Sequence, residues 1–215
     1  MNSPALARIP CEGIEMEGFL EIPPKAAGVV IFAHGSGSSR YSPRNSYVAG
    51  VLRASGVGTL LIDLLTPDED SDYARRFDIG LLTKRLVAAA RWIKEQPLTR
   101  HLPVGLFGAS TGAAAALETA AILLEEIKAV VSRGGRPDLA SAQSLARVTA
   151  PTLLIVGGND DLVIELNKQA YNQLRCKKEL TLVPGATHLF EEPGTLEKVA
   201  SLASGWFSRH LSPPA

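Results

Sequence analysis

The sequence predicts an α/β fold: an open, mostly parallel sheet flanked by helices on both faces, with no separate cap domain. Three observations carry this. Short runs rich in Val, Ile and Leu alternate down the chain with segments of helical periodicity. The central runs are apolar throughout instead of alternating apolar and polar, as expected of strands covered on both sides. Finally, 215 residues, 46% hydrophobic and 20% charged, suffice for one buried core of this size.

The elements follow in order. From about Ile9 to Ile22, IEMEGFLEI alternates apolar and polar side chains and predicts an antiparallel strand pair at the sheet's edge. Buried parallel strands are expected at 28–35 (GVVIFAHG), 56–64 (GVGTLLIDL), 102–110 (LPVGLFGAS) and 150–158 (APTLLIVGG). Two weaker strands are expected at Lys128 to Ser132 and Glu179 to Val183. Helical periodicity covers Asp78 to Glu95, Thr111 to Glu126, Leu162 to Leu174 and Thr195 to Leu211. Thr66 to Phe77 reads as an irregular stretch forming a small lip. No repeat or linker interrupts the pattern, so residues 1–215 are expected to form one domain, with Pro213 and Pro214 marking a frayed end.

Charge narrows the partners. Lys and Arg number 22 and Asp and Glu number 22, a net charge of zero with pI about 6.9. No long-range field then draws nucleic acid or an anionic membrane surface. No apolar run approaches the roughly 20 residues of a membrane helix, and no secretory signal is visible, so a cytoplasmic location is expected. Cys11 and Cys176 lie far apart with no CxxC spacing, and no cluster such as HExxH points to a metal. No cofactor is implied.

In open parallel sheets ligands bind beyond the carboxyl ends of the strands. There Gly108-Ala109-Ser110-Thr111-Gly112 follows the run LPVGLF and precedes AAAALETAAILLEE, which places Ser110 at a sharp strand-to-helix turn. The string alone is weak; its position strengthens it. A serine hydroxyl attacks only when a base takes its proton. Of the four histidines, His210 lies in the last helical turn, His101 in a loop before a strand, and His34 directly after one, where it orders the loop. His188, in PGATHLF after the last strand, is the expected general base and acid.

Asp160 and Asp161 follow the strand PTLLIVGG. Asp160 emerges nearest the strand end and is the better orienter of an imidazole, while Asp161 suits the start of the next helix; Asp138 is a further acid in reach. The loop His34-Gly35-Ser36-Gly37-Ser38-Ser39 offers backbone N–H groups for an oxyanion. Ser36 is the expected donor there, with Gly35 or Gly37 as alternatives, beside the N–H of Thr111.

With HGSGSS, GASTG, PTLLIVGGNDD and PGATHLF in this order, essentially the whole chain resembles the α/β-hydrolase superfamily, and within it the compact dienelactone-hydrolase-like proteins. The resemblance implies an α/β-hydrolase fold and a triad of nucleophile, acid after the seventh strand and late histidine, matching Ser110, Asp160 and His188. Dienelactone hydrolases proper use a cysteine nucleophile, so the implied reaction is acyl transfer to water and not lactone hydrolysis as such. The chain also resembles the hydrolase-like domains found beside phosphoribosyltransferase domains in some bacterial proteins.

Arg40 and Arg44 follow the oxyanion loop, and Arg133 and Arg136 follow a predicted strand, all at the sheet's carboxyl edge. Guanidinium groups capture carboxylate or phosphate, so a small acyl substrate bearing a negative charge is expected. Alternatively these arginines pair with the acidic run Asp68, Glu69, Asp70 and Asp72. Without a cap, the site is expected to be open and to favour short acyl groups. The rival reading is a binding or scaffold domain that has lost catalysis.

Overall fold

The computed structural model describes residues 5–211, so Pro213 and Pro214 lie outside the described residues. Strands β1 (Ala5–Cys11) and β2 (Ile14–Glu21) form the antiparallel pair, turning at Glu12 and Gly13, both with positive φ. β3 (Val29–Ala33) is buried at every position, and helix α1 (Pro43–Ala54) follows it. β4 (Gly58–Ile62) leads through α2 (Pro67–Ser71) and a 3-10 turn over Arg75–Phe77 to α3 (Ile79–Glu95). Then come β5 (Val104–Ala109), α4 (Thr111–Leu123), β6 (Ile127–Arg133), α5 (Ala142–Arg147), β7 (Thr152–Gly157), α6 (Asp161–Gln173), β8 (Lys178–Val183) and α7 (Thr195–Leu211).

The eight strands form one sheet in the order β1-β2-β4-β3-β5-β6-β7-β8. β2 pairs antiparallel with β1 and β4, and the remaining pairings are parallel. Alternation along each strand sorts its side chains between two cores. Ile31, Leu60, Leu106 and Leu154 face the side covered by α3, α4 and α5, where Leu86, Ile93 and the alanines of α4 pack on them. Val30, Phe32, Phe107 and Ile155 face α1 and α7, against Leu52, Trp206 and Phe207. The buried face of α4 is mostly small residues, with Ala113 to Ala116, Ala120 and Ala121 beside Leu117 and Leu123.

The chain departs from the expected elements in three places, one of them the short helix α5, where no element was expected. Residues 66–77 are not irregular: Thr66 and Glu69 form a capping box that starts α2. α1 was not foreseen, because its buried residues Asn45, Val48, Ala49 and Leu52 form a narrow face. Its signal was local: Ser42 caps the helix by accepting from the Asn45 N–H, and Pro43 sits at the first helical position.

Candidate active site

β5 ends at Ala109 and α4 begins at Thr111, leaving Ser110 alone at the bend with φ 50° and ψ −122°. A non-glycine residue there carries about 1–3 kcal/mol of strain, which its surroundings must enforce. The Ser110 carbonyl accepts from the Ala113 N–H (3.1 Å) and the Arg136 N–H (3.0 Å). Glycines let the layers close up: a Cβ on Gly112 would stand 2.2 Å from the Ala33 carbonyl oxygen, and one on Gly108 2.4 Å from the Ala113 Cα. Gly112→Ala is therefore expected to cost about 3 kcal/mol by overpacking, read as a lowered denaturant midpoint at constant slope. An unchanged midpoint would refute the close packing.

Asp160 takes the backbone position that caps α6, yet its side chain makes no capping bond. Its Oδ2 instead lies 2.8 Å from His188 Nδ1. A carboxylate only accepts, so Nδ1 carries the proton and a neutral ring presents its bare Nε2. The histidine loop between β8 and α7 is pinned by Asn159 N–H to the Ala186 carbonyl (2.9 Å) and Gly158 N–H to the Val183 carbonyl (2.8 Å). Glu192 accepts from the Thr187 hydroxyl (2.6 Å) and N–H (3.1 Å), bonds that hold its carboxyl below the usual range. Asp161 is exposed in the first turn of α6, and Asp138 is held by Arg136 at 2.7–2.8 Å.

Ser110 and His188 line one cavity of about 240 Å³, together with Ser38, Arg44, Asn45 and Arg133. A larger groove of about 860 Å³ between α3 and the β1–β2 turn holds neither. Among the described residues no group of three or more His, Cys, Asp or Glu side chains could hold a metal ion, and no helix is long and apolar enough to cross a membrane.

The oxyanion loop differs in detail from expectation. The Ser36 N–H donates to Thr111 Oγ1 at 3.0 Å, so it is already engaged and does not stand free above Ser110. Its backbone turns back over the first turn of α4. The Thr111 N–H belongs to that turn, where helical N–H groups lack intrahelical partners. His34 is buried and serves the loop: Nδ1 lies 2.9 Å from the Gly35 carbonyl, and Nε2 accepts from the Leu64 N–H at 3.2 Å.

The four arginines separate. Arg40 turns away into ion pairs with Asp63 and, at 2.6 Å, Glu17. Arg136 holds Asp138. Neither lines the cavity with Ser110, which corrects the expectation that all four serve the substrate. The acidic run does not bind them either: Glu69 pairs with Arg85 (2.8 Å), Asp70 with Arg76 (3.1 Å) and Asp72 with Arg75 (3.7 Å). Arg44 and Arg133 remain on the cavity wall.

A model of the dienelactone hydrolase family matches residues 16–210. The chain belongs to the dienelactone hydrolase family. Within it, a dienelactone hydrolase structure from Anabaena variabilis is 55% identical, covers 98% of this chain and 100% of its own, and superposes with TM-score 0.93. A Mycobacterium tuberculosis protein provisionally named a phosphoribosyl transferase is 59% identical over 201 residues, 94% of this chain but 45% of that protein. The chain thus spans about half the length of such relatives. A serine hydrolase without lid from Xanthomonas campestris shares the fold with TM-score 0.79 at 21% identity, covering 100% of this chain and 98% of its own.

Position 110 of this family member is serine. Two residues of its cavity region escaped sequence reasoning. Asn45 reaches Arg133 from the unforeseen α1 (Nη2 to Oδ1, 3.3 Å), and Phe190, at φ 56°, sets its ring 5.9 Å from the Arg133 guanidinium carbon. The Ser42-Pro43 start of α1 was the signal for Asn45; nothing local marked Phe190.

Proposed function

We propose that the protein is a serine hydrolase that cleaves a carboxylic ester or related acyl bond of a small substrate through an acyl-enzyme. One observation carries this: Ser110, held at a strained bend, shares a cavity with a histidine whose Nδ1 is bound by a carboxylate. Ser110 Oγ attacks the substrate's carbonyl carbon while His188 Nε2 takes its proton. The oxyanion is met by the Thr111 N–H, with a second donor from the 35–37 loop; Ser36 supplies it by sharing or exchanging its bond to Thr111. Collapse expels the alcohol, which takes the proton from His188. Water, deprotonated by the same nitrogen, then frees the acid and restores Ser110. Asp160, bound to Nδ1, stabilises the imidazolium.

The cavity's small volume, with no cap among the described residues, supports short acyl groups, so activity is expected to fall with acyl length beyond about six carbons. The transferase name belongs to relatives of which this chain spans 45%. A fluorophosphonate probe tests the central reading. Intact mass and peptide mapping should show one adduct, on Ser110. A folded protein left unlabelled at saturating probe would instead favour a scaffold.

A further inference from the structure

The cavity around Ser110 holds a charge that ester hydrolysis as described does not use. Arg133, the last residue of β6, is 6% exposed. Among the described residues its contacts are Asn45 Oδ1 and the Phe190 ring, and its buried Nε has no partner. Among the described residues no carboxylate pairs with it. Burial, with the like charge of Arg44 added, pushes its pKa down to about 10. It remains a cation at neutral pH, held at an unfavourable place.

Two further features point the same way. Arg44 lines the cavity with its own Nε buried and unpartnered, while its outer nitrogen reaches Glu191 (3.0 Å) at the exposed rim. The 12-residue α1 begins at the cavity wall, where Ser42, Arg44 and Asn45 lie, so the positive end of its dipole faces the cavity, although Pro43 has no N–H there and the Asn45 N–H is taken by Ser42 Oγ.

We propose that this end of the cavity is a phosphate subsite, and that the acyl substrate carries a phosphate group seated between Arg133, Arg44 and the N-terminus of α1 while its carbonyl lies over Ser110. The second clause rests on the serine-hydrolase reading; the first does not. A planar carboxylate saturates one guanidinium fork. A phosphate dianion instead spreads three terminal oxygens in a tetrahedron, which suits two cations and a helix end converging from different directions. Its charge also answers both arginines at once.

The test compares 4-nitrophenyl esters of phosphoglycolic, succinic and methoxyacetic acids on wild type, Arg133→Gln and Arg44→Gln. The readout is the ratio of kcat/KM between esters, so a general loss of activity does not count. Wild type should prefer the phosphate ester over the neutral one by about 10- to 100-fold, and Arg133→Gln should erase most of that ratio. Arg44→Gln, nearer the rim, should lower it less. Thermal melting checks folding, and removal of an uncompensated cation should not lower Tm. Calorimetric titration with inorganic phosphate separates the two readings. Saturable binding that Arg133→Gln weakens at least about tenfold, in a protein that cleaves no ester, would leave the subsite standing and refute the hydrolase. Equal ratios in wild type and variant, or a succinate ester preferred as strongly as the phosphate ester, would overturn the subsite.

Discussion

Ser110→Ala is expected to lower kcat on any ester the protein turns over by about 10⁵-fold while leaving the fold in place. The chemistry is lost because the bend between β5 and α4 sets Ser110 on the cavity wall, while the adjoining Thr111 hydroxyl is engaged by the Ser36 N–H. The fold is kept because the bend is enforced by contacts that alanine preserves: the hydrogen bonds to the residue-110 carbonyl and the close approach of Gly108 and Gly112 to their neighbours. Alanine also carries the same φ of 50° with a Cβ of the same kind, so the strain is unchanged. Stability should move by less than about 0.5 kcal/mol. Steady-state kinetics with active-site titration, paired with a denaturation curve, reads both quantities. A variant retaining a tenth of the wild-type rate would place the nucleophile elsewhere.

Ser110 stands out in the sequence alone because ligands of open parallel sheets bind beyond the carboxyl ends of the strands. The buried strands β3, β5 and β7 are legible as uninterrupted apolar runs, and each is followed by residues that no core would select: His34 and Gly35, Ser110, and Asp160. Even β8, half exposed at the sheet's edge, is legible from its place in the alternation of strands and helices. Partner choice among charges is not legible in this way. Arg40 lies close in sequence to the oxyanion loop, yet β2 and the segment after β4 bring Glu17 and Asp63 to it across the sheet. Arg133 looks like Arg136 three residues on, but one ends a buried strand and the other is free to turn onto Asp138. Which carboxylate meets which guanidinium is set by tertiary packing. Sequence spacing carries that information only within one helix or turn.

The same limit left Asp160 and Asp161 in competition, and their substitution by asparagine separates them. In Asp160→Asn the amide preserves size, but its NH₂ can donate where a carboxylate only accepts. Facing Nδ1, the amide presents either an oxygen, which still supports the working tautomer without its charge, or a donor, which forces the proton onto Nε2 and leaves His188 unable to accept from Ser110. Both outcomes leave the imidazolium formed during attack without its counter-ion. The expected loss in kcat is about 10³- to 10⁴-fold, with fluorophosphonate labelling slowed in proportion because it needs the same proton transfer. Asp161→Asn alters only an exposed first-turn residue of α6, whose interaction with the helix dipole is about 0.3–1 kcal/mol. It should reduce stability slightly and leave kcat within about twofold of wild type. Equal losses in the two variants would mean that the 2.8 Å contact between Asp160 and His188 is not the one that orients the base. A large loss confined to Asp161→Asn would reassign the acid outright.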